Sequence, residues 1–188
     1  MTSLAALWLP ILLSAVFVFV VSSVIHMAPL WHKSDYPRAD KESEILNALR
    51  PFALAPGEYF MPRAGSAKDM RSPEFIEKMN KGPVVLLTVF PNGMVSMGRN
   101  LTLWFLNAVV VSYFAAYVAS HAFAPGASYL RVFQLVGATA FAAYALALPQ
   151  MWIWYGRSAS MTVKALFDGL IYGALTAGTF GWLWPHSA

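Results

Sequence analysis

Residues 166–184 read LFDGLIYGALTAGTFGWLW, and within them Gly169, Gly173, Ala177 and Gly181 recur every four residues. On a helix, that spacing stacks the four positions turn upon turn along one face. The result is a smooth groove into which another helix can settle almost to backbone contact. Glycine costs about 1 kcal/mol relative to alanine in the interior of a water-exposed helix. So many in one helix are tolerable where lipid offers the backbone no alternative hydrogen-bond partner. The stretch predicts a membrane helix in a tightly packed bundle.

Composition agrees with that reading. The chain has 188 residues, 58% hydrophobic and only 12% charged, about half the charge of an average soluble domain. With no cysteine, disulfides, thiolate metal sites, iron–sulfur clusters and cysteine nucleophiles are excluded. Ten of the thirteen Lys and Arg lie between Lys33 and Arg99, together with eight of the nine carboxylates. Balanced, interleaved charge of this kind marks a solvated folded segment and not a nucleic-acid surface.

Four stretches are long and apolar enough to cross a bilayer, which takes about 20 residues: 4–27, 101–123, 132–155 and 165–184. The first has no Lys or Arg before it and no small-residue cleavage site after it, so it reads as a retained span and not as a signal peptide. The expected architecture is an all-α membrane protein with four transmembrane helices. A first helix occupies 1–28, a cytoplasmic α+β loop subdomain 29–100, and a three-helix bundle 101–188. Lys and Arg are concentrated in the 29–100 loop and recur at Arg157 and Lys164, which places both termini on the periplasmic side. Trp8, Trp182 and Trp184 fit an outer aromatic belt, and Trp31, Trp104, Trp152 and Trp154 an inner one.

In the loop, Asp40 is placed to cap a helix running to Arg50. Ser72-Pro73-Glu74 reads as cap, first-position proline and first-turn acid of a second helix, closed by Lys78, Lys81 and Gly82. The β-forming run 84–90, followed by Pro91-Asn92-Gly93 and then 94–97, predicts a hairpin.

Three ionisable groups stand out near the inner membrane face. His26 and His32 flank Pro29 at the end of the first span, and Asp168 is the one carboxylate outside the loop. Together they are a candidate polar or metal site, because imidazole and carboxylate are metal ligands and proton carriers. Six helical residues rotate through about 240°, so His26 and His32 would not share a face of one unbroken helix. Convergence would require the chain to turn at Pro29. The structural alternative makes Trp31, Lys33 and Tyr36 an interfacial anchor. Asp168 is then a first-turn acid four residues after Lys164, or a partner of Arg99 or Arg157. On that alternative His26 and Asp168 share no neighbour. Asn107, Tyr113, Tyr117, Gln134, Tyr144, Gln150, Thr176 and Thr179 are the uncharged polar groups in the spans, where interhelical hydrogen bonding is the common use.

The junction from His26 to Tyr36, the run from Ser72-Pro73-Glu74-Phe75 to Gly82-Pro83-Val84, and Asp168-Gly169-Leu170-Ile171-Tyr172 through to Gly181-Trp182-Leu183-Trp184-Pro185 resemble small bacterial integral membrane proteins of unknown function. The resemblance implies a bacterial inner-membrane location, implies no activity, and carries over no functional residue. The expected function is a non-catalytic membrane subunit or scaffold, with the bilayer and other membrane subunits or a second copy as partners. No cofactor and no nucleic acid are expected. The alternative is a small interfacial enzyme or metal-binding protein using His26, His32 and Asp168, and a third reading is an oligomeric pore or facilitator.

Overall fold

A computed structural model describes residues 1–28 and 31–186. In chain order the elements are α1 (Trp8–Met27), α2 (Glu42–Leu49), β1 (Gly57–Met61), α3 (Pro73–Lys81), β2 (Val85–Val89), α4 (Met97–Ala122), α5 (Tyr129–Phe141), α6 (Pro149–Tyr155) and α7 (Ala159–Trp182), with short 3-10 turns between some of them. They form two compact units. Met1–Pro37 and Ser96–Ala188 make a helical unit, and Arg38–Val95 makes a second. The helical unit therefore includes residues 31–37, which the sequence reading assigned to the loop.

Three helical stretches are long and apolar enough to cross a membrane: Leu4–Met27, Met97–Ala122 and Tyr129–Tyr155. The third is not one regular helix. After α5 the backbone widens into a π-helical turn at Ala142–Leu146 before α6 begins at Pro149. Proline has no amide hydrogen to give the preceding turn, so the helix must reset its register there. The fourth expected segment, α7, has 24 residues, which is ample length at about 1.5 Å per residue. Its glycines, Thr176, Thr179, Lys164 and Asp168 make it more polar than the other three. It is also rich in buried positions, from Met161 through Asp168, Tyr172 and Thr176 to Phe180.

The glycine ladder is occupied within the chain. A Cβ built on Gly169 would lie 2.6 Å from the Ala145 Cβ. On Gly173 it would lie 3.2 Å from the Phe141 amide nitrogen and 3.3 Å from the Gly137 carbonyl oxygen. On Gly181 it would meet the Tyr129 ring at 2.7 Å. Thus α5 and its π turn fill the groove. A second small-residue face, on α4, escaped the sequence reading. Ala108, Ser112, Ala116 and Ser120 recur every four residues and are all buried. Across it, Ser112 Oγ lies 3.0 Å from Ser14 Oγ of α1. Where lipid tails as apolar as leucine surround helices, close packing and such polar contacts are what hold them together.

Several polar expectations are corrected. Thr176 and Thr179 donate to carbonyls of Tyr172 and Leu175 in their own helix, not across helices. Trp184 is 2% exposed and donates to the Ala124 carbonyl, and Trp104 donates to Ser22 Oγ, so both belong to the core and not to belts. Trp8, Trp152, Trp154 and Trp182 are exposed.

The second unit corrects two expectations. Asp40 is not the cap of α2, whose N-cap is Lys41 in a left-handed conformation. β2 pairs antiparallel with β1, Met61 opposite Val85 and Gly57 opposite Val89, not with residues 94–97. The reason is the competing helix. Ser96 Oγ accepts from the Arg99 amide and starts α4 at Met97, which leaves too little chain for a returning strand. The α3 signals hold, with Ser72 Oγ accepting from the Phe75 amide and Gly82 at φ 60° closing the helix.

The ladder makes a direct prediction. Gly169→Ala should destabilise the purified protein by about 1–3 kcal/mol, because an α-carbon and a methyl must move apart. Gly178→Ala, on the same helix but only in ordinary contact at 3.7 Å, should be neutral or slightly stabilising through helix propensity. Thermal unfolding in detergent ranks the two, and an unchanged Gly169→Ala would show that α7 and the π turn at Ala142–Leu146 are not in close contact.

Candidate functional site

Asp168 is placed by the ladder, because Gly169 beside it is the residue pressed against Ala145. It is not a first-turn acid. α7 starts at Ala159, nine residues earlier, and is capped by Ser158 Oγ, which accepts from the Met161 amide at 3.1 Å. Asp168 is 4% exposed, and a carboxylate buried that far needs partners. Neither Lys164 nor Arg99 nor Arg157 supplies one. Trp31 Nε1 donates to Oδ1 at 3.1 Å, and His32 Nε2 lies 3.1 Å from Oδ2. The segment 31–37 thus folds back over α7.

A second link fastens that segment. Lys164 Nζ donates to Asp35 Oδ1 at 2.7 Å and to Ser34 Oγ at 3.0 Å. Asp35 Oδ2 accepts from His32 Nδ1 at 2.7 Å. Burial alone would raise the Asp35 carboxyl. The hydrogen bonds and charges of Lys164 and His32 outweigh burial and hold it below the ordinary carboxylate range. An ionised Asp35 accepts only, so His32 Nδ1 carries the proton of that bond.

His26 completes the cluster. Its ring stacks on that of His32, centroids 4.4 Å apart and planes 11° from parallel. Its Nδ1 lies 2.9 Å from the Ser22 carbonyl oxygen, which can only accept. Pro29, expected to turn the chain between the two histidines, lies outside the described residues. His26 and Asp168 do share a neighbour, contrary to the anchor reading, since both touch His32. One ligand atom from each of His26, His32 and Asp168 falls within 4.8 Å of the others.

The hydrogen-bond pattern of the three is uniform. His26 Nδ1 is committed to a backbone carbonyl, His32 Nδ1 to the Asp35 carboxylate, and Asp168 Oδ1 to the Trp31 indole. Metal-ligating histidines and carboxylates are oriented by this kind of outer contact. The His32 Nε2 and Asp168 Oδ2 atoms are at contact distance, yet Nε2 is buried and is not in hydrogen-bonding geometry with any group among the described residues. With one proton given to Asp35 at Nδ1, His32 Nε2 would turn a lone pair toward an anionic oxygen whenever the ring is neutral. A cation between them would relieve that repulsion.

A cavity of about 420 Å³ adjoins the cluster. His26 and Asp168 form one part of its wall, and Trp104, Asn107, Tyr144 and Tyr172 another. The sequence reading singled out His26, His32 and Asp168 but took Trp31 and Lys164 for an anchor and a helix-surface pair. The further signal is local: Trp31-His32 and Asp35 place a donor, an imidazole and a carboxylate within one short turn, with Asp35 three positions after His32.

The depressed Asp35 carboxyl has a consequence for acid stability. Its folded-state value lies below the unfolded one, so its stabilisation is complete above pH about 4 and fades as pH falls through the lower folded value. Melting temperatures of the parent in detergent should therefore fall more steeply below pH about 4 than those of Asp35→Asn. Parallel curves for the two would remove Lys164 and His32 as its partners.

No protein-family model, curated protein or solved structure matches this chain, so the chemistry of the cluster alone carries a functional reading.

Proposed function

We propose that this chain is a four-span bacterial inner-membrane protein that binds a divalent first-row transition-metal ion through His26, His32 and Asp168, at the cytoplasmic end of its helical bundle. The observation that carries the reading is the shared pattern of the three ligands. Each has its other polar atom held by a separate group, and each leaves one atom for the common centre. Two imidazoles and one carboxylate suit zinc or iron(II) and are poor ligands for magnesium or calcium, which prefer oxygen. Three protein ligands leave further coordination positions, the arrangement of metal sites that engage a small molecule.

The fourth span is α7. Its buried face needs little hydropathy, because neighbouring helices and not lipid surround it. The basic residues of the 29–100 segment, with Arg157 and Lys164, support cytoplasmic placement of that segment and periplasmic termini. A scaffold that docks partners through the glycine groove finds less support, since α5 and Tyr129 of the same chain occupy the groove.

Metal content tests the reading. The purified protein should bind about one cobalt(II) or zinc(II) ion per chain, with His26→Ala, His32→Ala and Asp168→Asn each weakening it and Asp35→Asn weakening it about 10–100-fold. A parent that takes up no stoichiometric metal would make the cluster a purely structural clasp between residues 31–37 and α7.

Topology is tested separately. In this cysteine-free chain, Lys68→Cys should resist an impermeant maleimide applied from the periplasm, and His186→Cys should react. The reverse pattern would invert the orientation.

A further inference from the structure

The cavity beside the cluster has two features that the metal reading does not use. The hydroxyls of Tyr144 and Tyr172 are buried and have no hydrogen-bond partner among the described residues. Tyr172 is 4% exposed as a whole residue, and both tyrosines line the cavity. A buried hydroxyl without a partner is costly, and native proteins rarely keep two together. Several other polar groups of the wall are already engaged. Trp104 donates to Ser22 Oγ at 2.7 Å, and Ser22 and Ser23 donate to the Phe19 carbonyl. The Asn100 and Asn107 amides also line the wall but are exposed, so the tyrosines are its buried donors left over among the described residues.

Around them the wall is aromatic. Trp104, Tyr144 and Tyr172 form a closed trio with centroid separations of 5.5–6.2 Å. Asp168 forms part of the same wall and repels an anionic head group. At about 420 Å³ the space is that of a small-molecule site, apolar with a few convergent polar groups. The sequence explains the placement. The π turn forced ahead of Pro149 carries Tyr144, and the ladder face of α7 pressed on α5 fixes the direction of Tyr172 one residue before Gly173.

We infer that this cavity binds a neutral, lipid-soluble, flat ring compound bearing carbonyl oxygens, of the quinone class, with the Tyr144 and Tyr172 hydroxyls donating to it. A conjugated ring matches the aromatic trio, a carbonyl accepts the two unused protons, and the absence of charge suits the carboxylate in the wall. Binding of this ring requires no metal, so it stands or falls apart from the proposed ion.

Menadione and 2-methylnaphthalene separate the carbonyl from the ring, because they share the fused ring and its methyl group and differ in the oxygens. With no cysteine in the chain, thiol addition to the quinone does not interfere. Equilibrium binding to the purified full chain in detergent, after chelator treatment, should favour menadione over the hydrocarbon by about tenfold. Tyr144→Phe and Tyr172→Phe should each weaken menadione several-fold and leave 2-methylnaphthalene unchanged. Neither substitution should lower the melting temperature without ligand, since each removes a hydroxyl that has no partner. Equal affinity for the two probes overturns the inference, as does a Phe variant that keeps full menadione affinity. A Phe variant that unfolds more readily than the parent overturns it too, because its hydroxyl then already has a partner. A parent that binds menadione but takes up no stoichiometric metal supports the cavity and not the ion. Retained metal with no menadione binding does the opposite.

Discussion

The approach of α7 to α5 at backbone distance is the constraint on which the rest of the helical unit depends. Along Gly169, Gly173 and Gly181 there is no room for even one added carbon without displacing Ala145, Phe141 or Tyr129. In a bilayer the hydrophobic effect does not press helices together, so contact of this intimacy has to come from dispersion and weak polar contacts. Small residues make it possible because they lose no side-chain entropy on packing. With one face spent on α5, α7 packs another against α1 and residues 31–37, while Phe167, Leu170, Ile171 and Trp182 stay exposed.

That position makes Asp168 tolerable. An isolated buried carboxylate would neutralise or unfold the site, and this one instead accepts from the Trp31 indole N–H and lies beside the His32 imidazole. Removing water from such groups costs several kcal/mol per ion unless geometry and hydrogen bonds compensate. Compensation here arrives from one short segment. Trp31, His32 and Asp35 reach α7 together, and Lys164 balances the second carboxylate. The segment is therefore held by its chemistry more than by apolar packing, since Trp31 and Tyr36 remain largely exposed.

The helices were legible in the sequence because they announce themselves by length and hydropathy, and the ladder because its period of four is strict. The second small-residue face was present at the same period, in Ala108, Ser112, Ala116 and Ser120, but alanine and serine are common enough in apolar helices to hide it. The strand pairing was not legible. Gly57–Met61 is short and lies between Pro56 and Pro62, whereas Asn92-Gly93 is a strong turn signal that the cap at Ser96 overrules. For the site, residue types were readable and geometry was not. The 240° argument holds for an unbroken helix, and α1 ends at Met27, which frees His32 to return beneath His26. Asp168 falls in the first turn of a helix begun at 165, where the apolar run starts. Ser158 in fact starts α7 well before the apolar run.

The cluster and the cavity meet at His26 and Asp168, and that junction restricts what either can do. His26 and Asp168 would hold the proposed ion at the edge of the cavity, where it could supply Lewis acidity to an oxygen of an occupant. An anionic occupant would gain from the ion but meet Asp168 whenever the ion is absent, whereas a neutral carbonyl compound is acceptable in both states. Any contact between ion and occupant makes each tighten the other by the same factor, because binding linkage is reciprocal. The tyrosine hydroxyls add a donor that is independent of the ion, and they lie on elements fixed by Pro149 and by the glycine ladder. Specificity for the proposed ring would thus rest on backbone packing, and sensitivity to the proposed ion on the fold-back of residues 31–37.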